Sequence, residues 1–455
     1  MALSPVPTAD LPSPSEGPSV VQGWPSPGVA RYAVVIFALA LMFAELDRNI
    51  FNLLIEMVKK DLAISDFRMS LLLGPAVVLF YAFVGIPLAR LVDIYPRNVV
   101  LSIGIVLWSG MTAVSGLAQN YWQLFAFRTA VGAGGTVHGP GTYSMMADYF
   151  PPRKLPRAIA GMQVGYMLGN ALAFLLGGAV IALVSRWEPA HVGALTIRNW
   201  QMVLILVGLP GLAVALLVRL LPEPARRGRM AAAGALPFRQ VLGAIWLRRP
   251  IYGPLFLGLT FSAIETYGIR AWLVPFMQRT HGWQPATVAY WMGFIFLVAM
   301  PLGIFFGTWL TEHLGRRNKD APLRVTLIAY TFVLPCAVAV PLMPTGELAL
   351  IVSGFGTMFG FFGAVPQNAA IQTITPNEMR GQVTAIYLMI FTIGGALGSV
   401  VVASITNFII GDESKLWLSI AITAAALQPF AILFMSFGLR PYREAIEALE
   451  ARGLY

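Results

Sequence analysis

The sequence predicts an all-α integral membrane protein whose twelve transmembrane helices form two pseudo-symmetric six-helix bundles. Three observations predict it. Of 455 residues, 57% are hydrophobic and 11% charged, where a soluble domain carries about 25% charged residues. Twelve mostly apolar stretches each offer roughly the 20 residues that cross a bilayer. A polar, arginine-rich connector divides them into six and six, the count expected of two six-helix repeats.

Residues 1–28 hold seven prolines and no basic start before an apolar core, so they read as a disordered tail rather than a signal peptide. The first bundle is expected over 29–221, with spans near 31–57, 70–93, 98–118, 122–149, 157–185 and 200–221. The connector, 222–249, carries Arg226, Arg227, Arg229, Arg239, Arg248 and Arg249. The second bundle is expected over 250–440, with spans near 250–278, 286–313, 322–343, 347–373, 380–409 and 415–439. A tail, 441–455, follows.

A net charge of +10 suggests nucleic acid in a soluble protein. Here the basic residues gather in short loops, which is a topology signal. Loops on the connector's side hold Arg90, Arg97, Arg153, Lys154, Arg157, Arg316, Arg317, Lys319, Arg324 and Arg380. The opposite loops hold Lys59, Lys60, Arg68, Arg186, Arg198, Arg279 and Lys415, several beside acids. The connector and both termini are therefore expected in the cytoplasm. Arginine outnumbers lysine 26 to 5, in keeping with a GC-rich bacterial genome and an inner membrane. Cys336 is the single cysteine and the four histidines are scattered. No disulfide, metal site or cofactor is expected. Nor is there a nucleotide-binding loop or a nucleophile with its base, so neither an ATP-driven pump nor an enzyme is expected.

The halves echo each other. Gly85-Ile-Pro-Leu-Ala-Arg-Leu-Val-Asp93-Ile-Tyr-Pro96-Arg97 follows the second span, and Gly307-Thr-Trp-Leu-Thr-Glu312-His-Leu-Gly315-Arg316-Arg317 follows the eighth. Each is a small-residue helix end, an acid, then bases three or four positions on. Phe150-Pro151-Pro152-Arg153 likewise corresponds to Thr375-Pro376-Asn377-Glu378-Met379-Arg380. These loops resemble the signature of the major facilitator superfamily over about residues 30–440. Leu46-Asp47-Arg48, the stretch from Leu62 to Leu72, Phe127-Arg128-Thr-Ala-Val-Gly132-Ala-Gly134 and Ala147-Asp148-Tyr-Phe-Pro-Pro-Arg153 together resemble its spinster-like branch. The resemblance implies alternating access and, from eukaryotic members, sphingolipid or lysophospholipid cargo. It also implies that the repeated loops form a cytoplasmic gate of Asp93, Arg97, Glu312, Arg316 and Arg317. Where that branch has Gly-x-Gly-Glu in the fourth span, this chain has Gly135, so another carboxylate is expected to carry the proton.

Charges inside the apolar stretches mark the candidate site, because an ionised side chain at mid-bilayer costs about 2.5–3.5 kcal/mol even on insertion scales. Glu45 and Arg48 are three apart and meet on one helical face. Asp47 points elsewhere, about 200° round from Glu45, and needs a partner from another helix. Arg128 is the expected partner. If cavity opening alternately wets and dries Asp47, its proton affinity changes with conformation. Glu265 in the seventh span completes the expected substrate and proton site of Asp47, Arg48, Arg128, Glu45 and Glu265. Arg270 stands about 140° round from Glu265. Gly161, Gly165 and Gly169 form a small-xxx-small row suited to close helix packing, and His138 reads as a packing residue. The expected function is a secondary transporter, proton-coupled, moving an amphipathic anion such as a lysolipid or sphingoid lipid. Small organic anions, drugs, or uncoupled flux are the alternatives. A lipid-modifying enzyme and a non-transporting sensor rank below these. Its partners are then the substrate, protons and the bilayer, with no nucleic acid and a monomeric state.

Overall fold

The computed structural model describes residues 24–78, 91–92, 94–136, 138–151, 153–192, 195–226 and 237–451. Helix α1, Pro27–Leu53, starts where the Ser26 hydroxyl accepts from the Val29 amide and Pro27 opens the first turn, a well-matched N-terminus. It continues into α2, Ile55–Leu62, which stops at Ala63 in the left-handed region (φ 49°). Ser65 caps α3, Asp66–Leu73, and the second span beyond residue 78 lies outside the described residues. Helix α4 is Arg97–Ser115. The fourth span is divided into α5, Tyr121–Gly135, and α6, His138–Tyr149. Residue 137, between them, lies outside the described residues.

Helix α7, Leu155–Val184, precedes an antiparallel two-stranded hairpin, β1 Ala190–Val192 and β2 Leu195–Ile197. That hairpin is the one departure from an all-helical fold among the described residues. Then come α8, Asn199–Arg219, and α9, Phe238–Leu247. The polar connector thus contains a helix that its arginine content concealed. Helices α10 Arg249–His281, α11 Pro285–Gly315, α12 Ala321–Ala339, α13 Gly346–Ile374 and α14 Asn377–Ser404 follow. A π-helical segment, Ile405–Ile410, leads to α15, Leu416–Glu450, which runs on past the expected end of the last span near 439. Nine helices among the described residues are long and apolar enough to cross a membrane. The remaining three spans are the partly described second, the divided fourth, and α10, whose 33 residues extend about 50 Å.

Close backbone approach holds the bundles together. A Cβ at Gly165 would lie 2.0 Å from the Ala38 carbonyl oxygen, and one at Gly169 would lie 2.7 Å from Met42 Cα. The small-residue row of α7 therefore seats α1 against it. Between the halves, α7 meets α11, with Phe174 and Phe296 stacked at 5.5 Å. Helix α3 meets α14, where a Cβ at Gly74 would lie 2.1 Å from the Ala396 carbonyl oxygen.

The apolar core shows how the halves are disposed. On the face opposite the connector, one cluster runs unbroken from Leu46 and Phe174 in the first half to Phe276, Val288 and Phe296 in the second. Toward the connector it divides into a first-half cluster around Phe37 and Met146 and a second-half cluster around Tyr252 and Tyr442. The bundles are joined at the far face and parted at the connector face.

Candidate functional site

Between the bundles lies a cavity of about 290 Å³. Helix α1 supplies Glu45, Asp47, Arg48, Asn49 and Asn52; α4 supplies Trp108; α5 and α6 supply Arg128, Gly135 and His138. The second half contributes Tyr267 and Arg270 from α10 and Phe391, Thr392 and Ser399 from α14. Glu45 and Arg48 pair at 3.1 Å, as their spacing predicts, and the Arg48 side chain remains 63% exposed.

Asp47 and Arg128 are both buried on the cavity wall. Arg128 and Arg48 both bear on Asp47 as opposing charges, and the Thr112 hydroxyl lies beside it. Yet Asp47 and Arg128 do not close into an ion pair within 4.0 Å among the described residues. Asp47 Oδ1 and Arg128 Nε and Nη1 have no hydrogen-bond partner there, and the guanidinium rests 4.3 Å over the Phe51 ring. Buried polar atoms left unmet are costly.

Arg270 reaches across the interface. Its Nη2 donates to Asn49 Oδ1 at 2.9 Å and to Asn170 Oδ1, while its guanidinium lies 4.5 Å from the Phe296 ring centre. Asn49 in turn donates to the Glu45 carbonyl oxygen at 2.8 Å. Sequence spacing does not bring Arg270 into the expected site, and its partners here are neutral amides 221 and 100 residues away. Glu265 is 1% exposed but is not among the cavity-lining residues. It accepts from Thr266 Oγ1 at 2.9 Å and lies near Tyr330, whose hydroxyl donates to Gln367 at 3.3 Å. His138, read as a packing residue, does line the cavity, edge-on to Trp108 with centroids 5.3 Å apart. A Cβ at Gly135 would meet nothing within 4 Å, so the place of the family's acid is open space. Among the described residues no group of three or more His, Cys, Asp or Glu could hold a metal.

The far face carries a network that sequence reading had taken as orientation charges. Asp66, fully buried, receives Lys59 of its own half and Arg279 Nη1 of the other at 2.7 Å. Arg279 Nη2 also meets Glu56 at 2.6 Å, and Lys59 meets Glu413 at 2.7 Å. The Asp66 amide donates to Glu413 Oε1 at 2.8 Å. Among the described residues, the ion pairs that join the two halves are on this face. The available signal was that Glu56, Lys59, Asp66 and Glu413 stand at span ends within three residues of an opposite charge; Arg279 has no such neighbour.

On the connector face, ion pairs stay within each half. Arg97, 2% exposed, binds Asp148 and, through Nε at 2.7 Å, Glu223. Asp93 lies outside the described residues. Glu312, Arg316 and Arg317 are exposed and make no ion pair within 4.0 Å among the described residues. A buried acid paired near them is Asp320, which accepts from Arg324 at 2.6 Å and Arg443 at 2.8 Å. Burial works against its ionisation, and the two arginines outweigh that, holding it below its ordinary value of 3.8.

Two helical bundles, joined at one face and enclosing a charged cavity between them, define a membrane transporter. The chain belongs to the Major Facilitator Superfamily, whose family model matches residues 37–399. It is 26% identical over 433 residues to an MFS-type efflux pump of Mycolicibacterium smegmatis, covering 94% of this chain and 96% of that one. Protein spinster homolog 3 of Danio rerio is 24% identical, over 81% of this chain and 74% of its own. A niacin transporter, NiaP, of Acinetobacter baylyi is 23% identical, over 77% and 80%. Among solved structures, a bacterial homologue of the human lysosomal transporter Spinster, inward-facing and unoccupied, superposes with a TM-score of 0.78 at 22% identity, over 94% of this chain and 99% of that one.

Proposed function

We propose that this protein is a proton-coupled secondary transporter of an organic anion, here open toward the connector face, which is cytoplasmic. The carrying observation is the cavity's charge. Arg48, Arg128 and Arg270 stand against Glu45 and Asp47, leaving one positive charge when all are ionised. Two N–H groups of Arg128 are also unmet. An acidic group entering between the bundles supplies the missing acceptors. Asp47 is the proton carrier on this reading, its free Oδ1 facing the same space, with Glu45 and Glu265 as the other carboxylates in the spans. Residues 29–221 and 250–440 move as two bodies, linked by 222–249. Glu312, Arg316 and Arg317 serve as a cytoplasmic latch, with Arg97 and Asp93 its counterpart. Their exposure beside a closed far face suits a latch that is released.

The substrate first proposed is an amphipathic anion such as a lysolipid or sphingoid lipid. At about 290 Å³ the cavity stands at the lower edge of ligand pockets, which run about 300–1,000 Å³. It takes a head group, and the chain must lie between the parted bundles. That same volume favours a second reading, a small organic anion held whole, in line with the niacin transporter among the relatives. Internal pH in proteoliposomes, followed while lysolipids and small organic acids are added, tests both. Substrate-dependent proton flux lost in Asp47→Asn, with exchange retained, is expected. Driven uptake of wild-type size in that variant would remove Asp47 from the coupling. Substrate flux without proton flux would make the protein an uncoupled facilitator.

A further inference from the structure

Helix α9 has two apolar faces, and the fold uses one. Val241 is fully buried, in one cluster with Tyr252, Leu255, Met379 and Val383, and Ala244 and Ile245 pack beside it. These residues fix the helix to the connector end of the second bundle. At 100° per residue, Phe238, Leu242 and Trp246 fall on an arc about 80° wide beside the packed one, while Leu247, 83% exposed, lies outside it. The three arc residues are 56%, 44% and 68% exposed, and no described residue covers them.

The charge on this helix is one-sided. Residues 237–250 contain Arg239, Arg248 and Arg249 and no acid, and all three arginines are exposed. The Arg249 guanidinium lies 5.3 Å from the Trp246 ring centre, so charge and aromatic ring sit at one level. Helix α10, which spans the bilayer, begins at Arg249. The arc thus stands at the head of a membrane-spanning helix.

An apolar arc with tryptophan at its edge and arginines at both ends matches the boundary between head groups and acyl chains. We propose that α9 lies in an anionic leaflet, with Phe238, Leu242 and Trp246 in the acyl boundary and Arg239, Arg248 and Arg249 on lipid phosphates. The occupant is the membrane itself, because the arc adjoins a membrane-spanning helix and its charge is complementary to anionic head groups. The docking would tether the connector end of the second bundle to the bilayer surface. It is independent of what the central cavity carries.

The test uses the full chain with Cys336→Ser and a nitroxide on Leu242→Cys, with Gly243→Cys as a second site about 100° away, outside the arc. Liposomes of phosphatidylcholine are compared with liposomes that also contain phosphatidylglycerol. With the anionic lipid, the label at 242 should become accessible to oxygen and shielded from an aqueous nickel reagent, while that at 243 stays aqueous. Each arginine should contribute roughly 5-fold, so the inserted-to-free ratio should rise on the order of 100-fold. High salt should reverse the rise, and Arg239→Gln with Arg248→Gln and Arg249→Gln should abolish it. Equal accessibility at 242 in both lipids overturns the proposal. Shielding from oxygen and nickel alike also overturns it, since that is cover by protein.

Discussion

Arg279→Gln should release the far face. Arg279 makes two bonds of 2.7 Å to the fully buried Asp66 and bonds of 2.6 and 2.9 Å to Glu56. Glu56 is 29% exposed and rehydrates when freed, so its share is discounted as a surface pair. The Asp66 contact is a buried, charge-assisted pair, and hydrogen bonds to charged groups contribute about 1.5–3 kcal/mol. Lys59 remains on Asp66 in the variant, so the aspartate does not lose every partner. Taking about 2–3 kcal/mol as the loss, the ratio of closed to open far faces falls about 30- to 150-fold. Spin labels on Trp187 and Leu342, both exposed, report it as a longer interlabel distance in lipid nanodiscs. An unchanged distance distribution in Arg279→Gln would refute the network's part in closure.

Gly74→Ala should act in the same direction, because its Cβ would stand 2.1 Å from the Ala396 carbonyl oxygen of the other half. The same label pair reads it. Gly165→Ala, at 2.0 Å from Ala38 within one half, should instead lower the melting temperature through overpacking of about 1–3 kcal/mol and leave the distances unchanged. Gly135→Glu should fold, since the space is open, and should weaken anion binding by cancelling the cavity's spare positive charge; equilibrium binding of the transported anion checks this. Asp320 has a depressed folded value, so its contribution is present above the unfolded value of 3.8 and is lost as pH falls through the lower folded one. The melting gap between wild type and Asp320→Asn should hold steady above about pH 5 and shrink below about pH 4; a gap that persists in acid contradicts the assignment.

What the sequence disclosed, it disclosed through local spacing and through charge in apolar context. Glu45 with Arg48 follows from a three-residue step, and the Gly161–Gly165–Gly169 row from a four-residue one. Asp47 could be seen to lack a local partner, and Arg128 does face it. Glu265 carried the same apolar-context signal yet lies apart from the cavity, because periodicity gives an angle about one helix and not the placement of that helix among its neighbours. Arg279, Asp66 and Glu413 were legible only as span-end charges, since they come together across 134 to 347 residues. Helix α9 was concealed for a compositional reason. Three arginines in and beside it mask an apolar periodicity that only two different contact surfaces explain.

The grip of Arg270 differs in kind from that of Arg279. Where the rim is fastened by full charges, the waist is fastened by the neutral oxygens of Asn49 and Asn170. A carboxylate or phosphate offers a guanidinium a charge-paired, bidentate grip that an amide oxygen does not. If the cargo is the anion proposed above, its arrival unfastens the waist without leaving any residue of the protein as an unpaired ion. An empty carrier and a loaded one then differ in how firmly their halves are stapled at mid-depth. Asn170→Asp would make that staple permanent, and a carrier so altered should bind its anion poorly and exchange it slowly.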